Sequence, residues 1–175
     1  SEGPTDDYRI KPDIAGNGTS LYSTFDESND DYSSISGTSM ASPNVAGTLL
    51  LLQQLYNNEH SNFMKAATLK GLSLHTADEA GPNGPDAVFG YGLLNARAAA
   101  NAIRNHGKSS MIEERELTQG DTYSFEVVAN GTEPLIASIS WTDPPGTANT
   151  GAVNDKTPVL VNDLDIRVTR DASTY

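Results

Sequence analysis

The spacing of apolar residues changes near Gly107, and this change limits the folds open to the chain more than any other feature. Before Gly107 the strongest pattern has apolar residues three and four positions apart, which predicts one face of an α-helix. That face is formed by Val45, Leu49, Leu52 and Tyr56. After Gly107 apolar and polar residues alternate, which predicts half-buried β-strands. The alternating runs cover residues 123–127, 135–141 and 164–168. The sequence therefore predicts a helical part, residues 1–107, followed by an antiparallel β part, residues 108–175.

Local signals predict further elements. A strand is expected around Ser20–Phe25 and a second helix over Asn62–Ser73. Asn95 is expected to cap a helix over Ala96–Asn105, with Gly107 at its C-terminal stop. The β part has fewer strand candidates than the roughly seven strands of a usual sandwich, and the chain ends just after one of them. We therefore expect the β part to be truncated.

Composition and charge exclude several classes of function. The formal net charge is −12 and Lys and Arg form no cluster, so a nucleic-acid partner is not expected. The longest strongly apolar run, Leu49–Leu52, is far too short to span a bilayer, so no membrane insertion is expected. The chain has no Cys, which excludes disulfides, thiol catalysis and zinc–thiolate sites. No organic cofactor is expected either.

Ser39 lies at the predicted start of the first helix, and two hypotheses fit that position. Serine is a preferred helix cap, because its oxygen accepts a backbone N–H of the first turn. The same position lies in the positive end of the helix dipole, where free N–H groups stabilise the oxyanion of an acyl transfer. The preceding Gly37 is expected to let the chain turn tightly enough to present the hydroxyl.

A nucleophilic serine also needs a general base, normally a histidine oriented by a carboxylate. The histidines of this chain are His60, His75 and His106. None lies in a Gly-rich turn that would present a base, so each is expected to be an ordinary surface or helix-end residue. The sequence thus offers a candidate nucleophile without an evident activating group.

The residues around Ser39 resemble the catalytic-serine motif of the subtilisin-like serine proteases, the subtilases. GTSMASPNVAG at residues 37–47 is similar, without gaps, to the G-T-S-M-A-[ST]-P-x-V-A-G motif of that family. Residues 3–14 resemble the family's segment before the serine, and residues 89–96 resemble its segment after the serine. LVNDLDI at residues 160–166 resembles a recurrent strand and turn in the C-terminal domain of some bacterial subtilases.

The resemblance implies an α/β fold for residues 1–107, as the C-terminal part of a subtilisin-like three-layer α/β/α catalytic domain. It implies a partial jelly-roll-like β-sandwich for residues 108–175. In the family, the triad aspartate and the base histidine lie in motifs before these segments, and neither motif occurs here. The resemblance therefore implies a portion of a longer, secreted serine endopeptidase with polypeptide substrates. The isolated chain is expected to be inactive.

The resemblance also assigns roles to the residues of the serine motif. It implies that Ser39 is the acylated nucleophile and that its own N–H is one oxyanion donor. Thr38 would lie beside the oxyanion, and Met40 matches the buried methionine that follows the nucleophile. Gly37 and Pro43 complete the motif, with Pro43 in the first turns of the helix, where its missing N–H is tolerated.

The sequence departs from the family pattern at two places. Asn44 stands where the family usually has a histidine, which is not the catalytic base. Ala15–Gly18 stands where Ala-Pro-Gly is usual, and this loop is expected to be more flexible. Neither departure removes a residue that the proposed chemistry needs.

The predicted first helix raises the question of what covers it. In the family, the helices after the serine pack on a parallel sheet whose strands lie mostly before this segment. Val45, Leu49 and Leu52 are therefore expected to face water unless something else covers them. The upstream part of the same protease, self-association, or repacking of the helices could supply that cover, and the sequence leaves these alternatives open.

Two further expectations concern metals and rival functions. Subtilases commonly bind structural calcium, and the candidate ligands here are Asp26, Asp30, Asp163 and Asp165. Carboxylates suit Ca²⁺, but solvated acidic loops explain the same residues.

The rival function is a non-catalytic scaffold or binding module, including a pseudoenzyme, whose β-domain binds a protein or a glycan.

Overall fold

The computed structural model describes residues 2–150, 152–171 and 173–175. In chain order its elements are β1 (Leu21–Thr24), β2 (Tyr32–Ile35), α1 (Thr38–His60), α2 (Ala66–His75), α3 (Ala96–Arg104), β3 (Thr169–Arg170) and β4 (Ser173–Thr174). The strands form two separate antiparallel pairs, β1 with β2 and β3 with β4. Across the described residues, no helix is both long enough and apolar enough to cross a membrane.

The β1–β2 hairpin leads directly into α1. The expected strand around Ser20–Phe25 is confirmed, and Leu21 pairs with Ile35 at the end of the hairpin nearest to α1. The rings of Tyr22 and Tyr32 stack across the pair with their centroids 5.8 Å apart. Cross-strand aromatic pairs of this kind help to hold a short hairpin together. The hairpin thus fixes the position of the backbone just before α1.

All three predicted helices form. Asn95 caps α3 as expected, because its side-chain oxygen accepts the N–H of Ala98 at 2.8 Å. The second helix begins at Ala66 rather than at Asn62. The reason is a contact from α1, in which the side-chain amide of Gln53 bonds both the N–H and the C=O of Met64. Those backbone groups are therefore not free to continue a helix.

The core lies among the three helices. Its buried apolar residues are Leu52, Met64, Leu72, Ala99 and Ile103. Leu52 does not face water, because the helices pack on one another and leave this side chain only 3% exposed, as in the repacking alternative. The large apolar residues of α1 that do face water are Leu50, 72% exposed, and Leu51, 66% exposed.

The predicted strands of the β part do not form in the described residues. Residues 123–127, 135–141 and 164–168 contain no strand, and β3 and β4 together make only a two-residue hairpin. A strand exists only where a neighbour accepts and donates its ladder hydrogen bonds, and the part of the chain that the structure describes supplies no such neighbour to these runs. The jelly-roll-like sandwich is therefore not confirmed, and the described residues contain no parallel sheet either. The boundary between residues 107 and 108 stays a prediction.

One segment of the β part contacts α2. The Oγ of Ser138 lies 2.9 Å from Nδ1 of His75, and Ser140 lies against Gly71 one turn earlier on the same helix face. A cavity of about 520 Å³ lies beside this contact, bordered by Lys70, Trp141 and their neighbours. Ser39 does not line this cavity, so the cavity is separate from the candidate nucleophile.

Candidate active site

The turn before α1 determines how Ser39 is presented. The residue that caps the helix is Gly37, with φ 164° and ψ 162°, and no side chain caps this end. The carbonyl oxygen of Gly37 accepts the N–H groups of Met40 at 3.0 Å and Ala41 at 3.2 Å. Ser39 is therefore the second residue of the helix. The hypothesis that Ser39 serves as the helix cap is wrong.

The polar groups of Ser39 are free within the part of the chain that the structure describes. The side chain is exposed, and neither its hydroxyl nor its backbone N–H bonds any described residue. The first turn of α1 also contains no acidic residue that would offset the positive end of the helix dipole. Free N–H groups in this field are suited to stabilise a negatively charged oxygen.

A loop on the other side of the turn supports Gly37. The N–H of Gly37 donates to the carbonyl of Gly18 at 2.8 Å, and the N–H of Ser20 donates to Oγ of Ser36 at 2.8 Å. These bonds continue the β1–β2 pairing up to the residue before α1. The sequence suggested only a flexible loop here, whereas the structure has Gly16 and Gly18 packed on α1.

The structure packs the stretch before the serine against the stretch after it, and the N–H of Tyr91 donates to the carbonyl of Asp13 at 2.9 Å. Ala15 donates its N–H to the carbonyl of Gly92 at 2.9 Å and accepts the N–H of Leu94 at 2.9 Å. Gly92 has φ +114°, and a Cβ there would lie 2.2 Å from the carbonyl oxygen of Asp78. Only glycine fits this position, which explains its place in the third stretch. The segment before the serine therefore rests on the segment after it.

The other residues of the serine motif surround the turn. Thr38 and Pro43 are exposed, and Met40 is half-buried. Pro43 lies within α1, in the region where the sequence predicts tolerance of its missing N–H. The burial of Met40 is less complete than the family resemblance implies. Together these residues leave the hydroxyl of Ser39 accessible from solvent.

No histidine of the described residues is hydrogen-bonded to Ser39. His60 is in the last turn of α1, about 30 Å away along the helix at the usual rise per residue. Its ring packs against Tyr56, with centroids 4.5 Å apart, and edge-on against His106, with centroids 5.4 Å apart. His75 contacts Ser138 at the end of α2. The described residues therefore supply no general base to Ser39.

The candidate calcium ligands do not come together. Asp26 and Asp30 are exposed in the β1–β2 connection, and Asp163 and Asp165 are exposed in the β part. Asp165 instead faces Arg167 at 3.4 Å. Within residues 2–150, 152–171 and 173–175, no group of three or more His, Asp or Glu side chains is placed to hold a metal ion. These side chains do not form a calcium cage, and the calcium assignment stays a prediction without geometric support.

Asp13 lies in the stretch before the serine and has a lowered pKa. Partial burial alone would raise the pKa of Asp13, but the Lys11 and Lys70 ammonium groups outweigh burial and lower it. The Nζ atoms lie 2.6 Å and 3.4 Å from Oδ2 of Asp13, respectively. Asp13 is therefore held as an anion by two cations, which is a structural ion-pair network and not a proton carrier.

Comparison with known proteins identifies the group to which this site belongs. A family model described as the subtilase family matches residues 1–92. The PII-type proteinase of Lactococcus lactis subsp. cremoris is 32% identical over 129 residues, which cover 65% of this chain and 7% of that protein. The autotransporter lipoprotein NalP of Neisseria meningitidis serogroup B is 35% identical over 102 residues, which cover 58% of this chain and 9% of NalP. The chain thus spans less than a tenth of the length of these curated relatives.

A solved structure supports the same assignment. The CspB protease of Clostridium perfringens superposes with a TM-score of 0.51 at 27% identity, covering 57% of this chain and 22% of that chain. The similarity supports an α/β fold of the subtilisin-like type for the matched part. It does not extend to a β-sandwich, which the described residues do not form.

Proposed function

The chain belongs to the subtilase family, and we propose that it carries the nucleophile and one oxyanion donor of a serine endopeptidase. The observation that supports this proposal most directly is the geometry of Ser39. Its hydroxyl is exposed, and its N–H is free at the start of a helix whose first turn has no acidic residue. The nucleophile and the electrostatic stabilisation of an acyl transfer are therefore adjacent.

The reaction proceeds through an acyl-enzyme. Oγ of Ser39 attacks the carbonyl carbon of a peptide bond, and its proton passes to a histidine contributed by a part of the protein before this chain. The oxyanion accepts the N–H of Ser39, with Thr38 beside it. The C–N bond then breaks and the histidine returns the proton to the leaving amine. Water, deprotonated by the same histidine, hydrolyses the ester on Ser39.

Because the described residues supply no general base, the proposed activity needs a histidine from another part of the longer protein. A triad without its histidine loses most of its rate, although the oxyanion donor and substrate binding retain some catalysis. We therefore expect this chain alone to be inactive towards peptides. The base and its orienting aspartate belong to the longer protein, in keeping with the small share of its relatives that this chain spans.

The exposed side of α1 is the surface that the rest of the protease would cover. Residues 45–52 are apolar or small around nearly the whole helix, and a helix of that kind is normally buried. Leu49 and Leu52 pack on the other helices, while Leu50 and Leu51 have no cover among the described residues. Ala46 and Gly47 continue the same exposed side towards Ser39. The upstream part of the same protein is the proposed occupant, and self-association is the alternative outcome.

Secretion is part of the proposal. One relative is named an autotransporter lipoprotein, a name that indicates an exported protein, and the acidic composition of this chain is compatible with an exposed, soluble enzyme. Calcium binding by Asp26, Asp30, Asp163 or Asp165 is proposed only from the family resemblance. No step of the mechanism depends on it.

A fluorophosphonate probe tests the proposal, because it reacts only with an activated serine. The full-length protein that contains this chain is expected to be labelled at Ser39, and Ser39→Ala is expected to abolish labelling. Ser42→Ala is the matched control, since Ser42 is exposed one turn later on the same helix and should leave labelling unchanged. A folded full-length protein that is not labelled would make the chain part of a pseudoenzyme or binding module.

A further inference from the structure

We infer that Gly18 is the positioning residue that holds the turn of Ser39, an inference that rests on the function proposed for Ser39. The backbone of Gly18 lies directly against the start of α1. Its carbonyl accepts the N–H of Gly37 at 2.8 Å, so the loop and the cap residue are joined. The two glycines are separated by 18 intervening residues that form the β1–β2 hairpin.

The space at Gly18 admits no side chain. A Cβ on Gly18 would lie 2.6 Å from the carbonyl oxygen of Gly37, 3.0 Å from Cβ of Ala41 and 3.4 Å from the backbone nitrogen of Ala41. Contacts under 3.0 Å force one partner to move. The partner here is a backbone carbonyl that already accepts two N–H groups of α1, from Met40 and Ala41. The carbonyl cannot move without disturbing the first turn of the helix.

Movement of the Gly37 carbonyl is transmitted to the oxyanion donor. That carbonyl belongs to the peptide plane that it shares with the N–H of Thr38, and the N–H of Ser39 is in the next plane. A rotation of the first plane therefore changes the direction of the second. Misplacement of a catalytic group by about 1 Å costs on the order of 100-fold in rate.

Gly37 itself does not explain why the turn is tight. Its φ of 164° is extended backbone that any residue adopts, and a Cβ there would meet nothing closer than Sδ of Met40 at 3.5 Å. The expectation that Gly37 is needed for a tight turn is therefore not supported by its conformation. The steric requirement for glycine lies at Gly18, in the loop that supports the turn.

Gly16, in the same loop, is a second glycine whose tolerance of alanine can be compared with that of Gly18. A Cβ on Gly16 would lie 2.5 Å from Cγ2 of Val45, but this atom is a side-chain methyl and not a backbone carbonyl that accepts N–H groups of α1. The next contact, with the carbonyl oxygen of Ala41, is 3.2 Å and needs only a small adjustment. Gly16 should therefore tolerate alanine better than Gly18 does. Thr19, next to Gly18, is exposed and its hydroxyl bonds none of the described residues, so Thr19→Ala leaves the contacts of this loop with α1 unchanged.

The test compares Gly18→Ala, Gly16→Ala and Thr19→Ala in the full-length protein, at a temperature well below unfolding of each variant. Gly18→Ala is expected to lower both kcat and the rate of fluorophosphonate labelling about 100-fold with little change in KM. Gly16→Ala is expected to lower them less than about fivefold, and Thr19→Ala should leave them unchanged. Loss of melting temperature with normal kcat would reveal a merely structural role and overturn the inference.

Ser36→Ala keeps the inference testable if Gly18→Ala does not fold. It removes the Oγ that accepts the N–H of Ser20 and so loosens the same loop without adding an atom. We expect kcat to fall at least threefold with KM unchanged, and an unchanged kcat would overturn the inference.

If the wild-type protein itself is not labelled, the proposed function and this inference fail together. If the wild type is labelled and Gly18→Ala is labelled equally fast, only the inference fails.

Discussion

Gln53 on α1 satisfies both backbone groups of Met64. Its Nε2 donates to the carbonyl of Met64 at 2.9 Å, and its Oε1 accepts the N–H of Met64 at 2.9 Å. The side chain of Met64 is meanwhile buried in the core, only 4% exposed. One amide on α1 thus fixes the connection that ends before α2 and directs its apolar residue inward.

Replacing Gln53 should therefore destabilise the helical core. Gln53→Ala leaves the N–H and C=O of Met64 without partners, and each unsatisfied buried group costs about 1–3 kcal/mol. We expect the free energy of unfolding, measured by urea unfolding of the full-length protein, to fall by about 2 kcal/mol. Asn58→Ala is the control, because Asn58 is exposed on the same helix and should change stability by less than about 0.5 kcal/mol. Equal effects of the two variants would contradict the prediction.

Glu114 caps α2 from a distant part of the chain. Its Oε1 accepts the N–H of Lys65 at 2.8 Å and the hydroxyl of Thr68 at 2.5 Å, whereas α2 has no acidic residue in its own first turn. Glu114→Ala should cost about 0.5–2 kcal/mol, the usual range for loss of a cap. Glu116→Ala is the control, since Glu116 is 91% exposed and makes only a long ion pair with Lys65.

The pKa of Tyr56 reports whether the carboxylate of Glu114 lies close to the Tyr56 phenol. Burial raises the pKa of Tyr56 above 10.0, and the negative charge of Glu114 raises it further. Glu114→Gln keeps an acceptor oxygen for the cap but removes the charge. We expect the Tyr56 phenol to titrate at a lower pH in this variant, followed by its ultraviolet absorbance. No shift would mean that Glu114 does not lie near Tyr56 in solution.

Asp143 should make one contact in the β part sensitive to acid. The backbone N–H of Val161 lowers the pKa of Asp143 most, burial opposes it, and the N–H and side-chain amide of Asn162 lower it further. The three donor–acceptor distances are 2.7, 2.9 and 2.8 Å. Since the folded-state pKa lies below the unfolded value of 3.8, the contact stabilises the fold above pH 3.8 and is lost as the pH falls through the lower, folded-state value.

Amide signals of Val161 and Asn162 measure this loss directly. We expect both backbone N–H resonances to shift upfield, and their hydrogen exchange to become less protected, as the solution is acidified below pH 3.8. In Asp143→Asn, the backbone amides of Val161 and Asn162 should be less protected from exchange already at neutral pH. Asp163→Asn is the control, because Asp163 is exposed and accepts no hydrogen bond from the described residues. Identical exchange in the two variants would show that Asp143 does not hold this segment.

The sequence predicts the local features of this fold better than its distant contacts. The Asn95 cap and the α1 stripe through Leu52 depend on residues within a few turns, so a pattern is enough to find them. The start of α2 could not be placed from the pattern, because Gln53 and Glu114 determine it from other elements. The alternating runs after Gly107 have the period of strands, but a strand also needs a partner that no local pattern supplies.

In the candidate site, too, the sequence predicts the local feature and misses the distant contact. A contiguous motif is enough to identify Ser39, and the position of Ser39 at the start of α1 follows from that motif. The sequence marks Gly18 only as part of a flexible loop, because the role of Gly18 depends on the carbonyl of Gly37 across the hairpin. A glycine that is required by a neighbour's backbone leaves no periodic signal. Only the folded positions of the two segments reveal the requirement.

The exposed leucines of α1 should distinguish this chain alone from the whole protein. Leu50 and Leu51 are exposed here, so Leu50→Gln with Leu51→Gln should cost this chain little stability and should reduce any concentration-dependent self-association, measured by light scattering. In the full-length protein the same pair would replace buried side chains, at a cost of roughly 1.5–3 kcal/mol each. Gln54→Asn, an exposed polar substitution on the same helix, is the control. If the double variant destabilises neither form, α1 is not covered on this side, and the proposed packing against the rest of the protease is wrong.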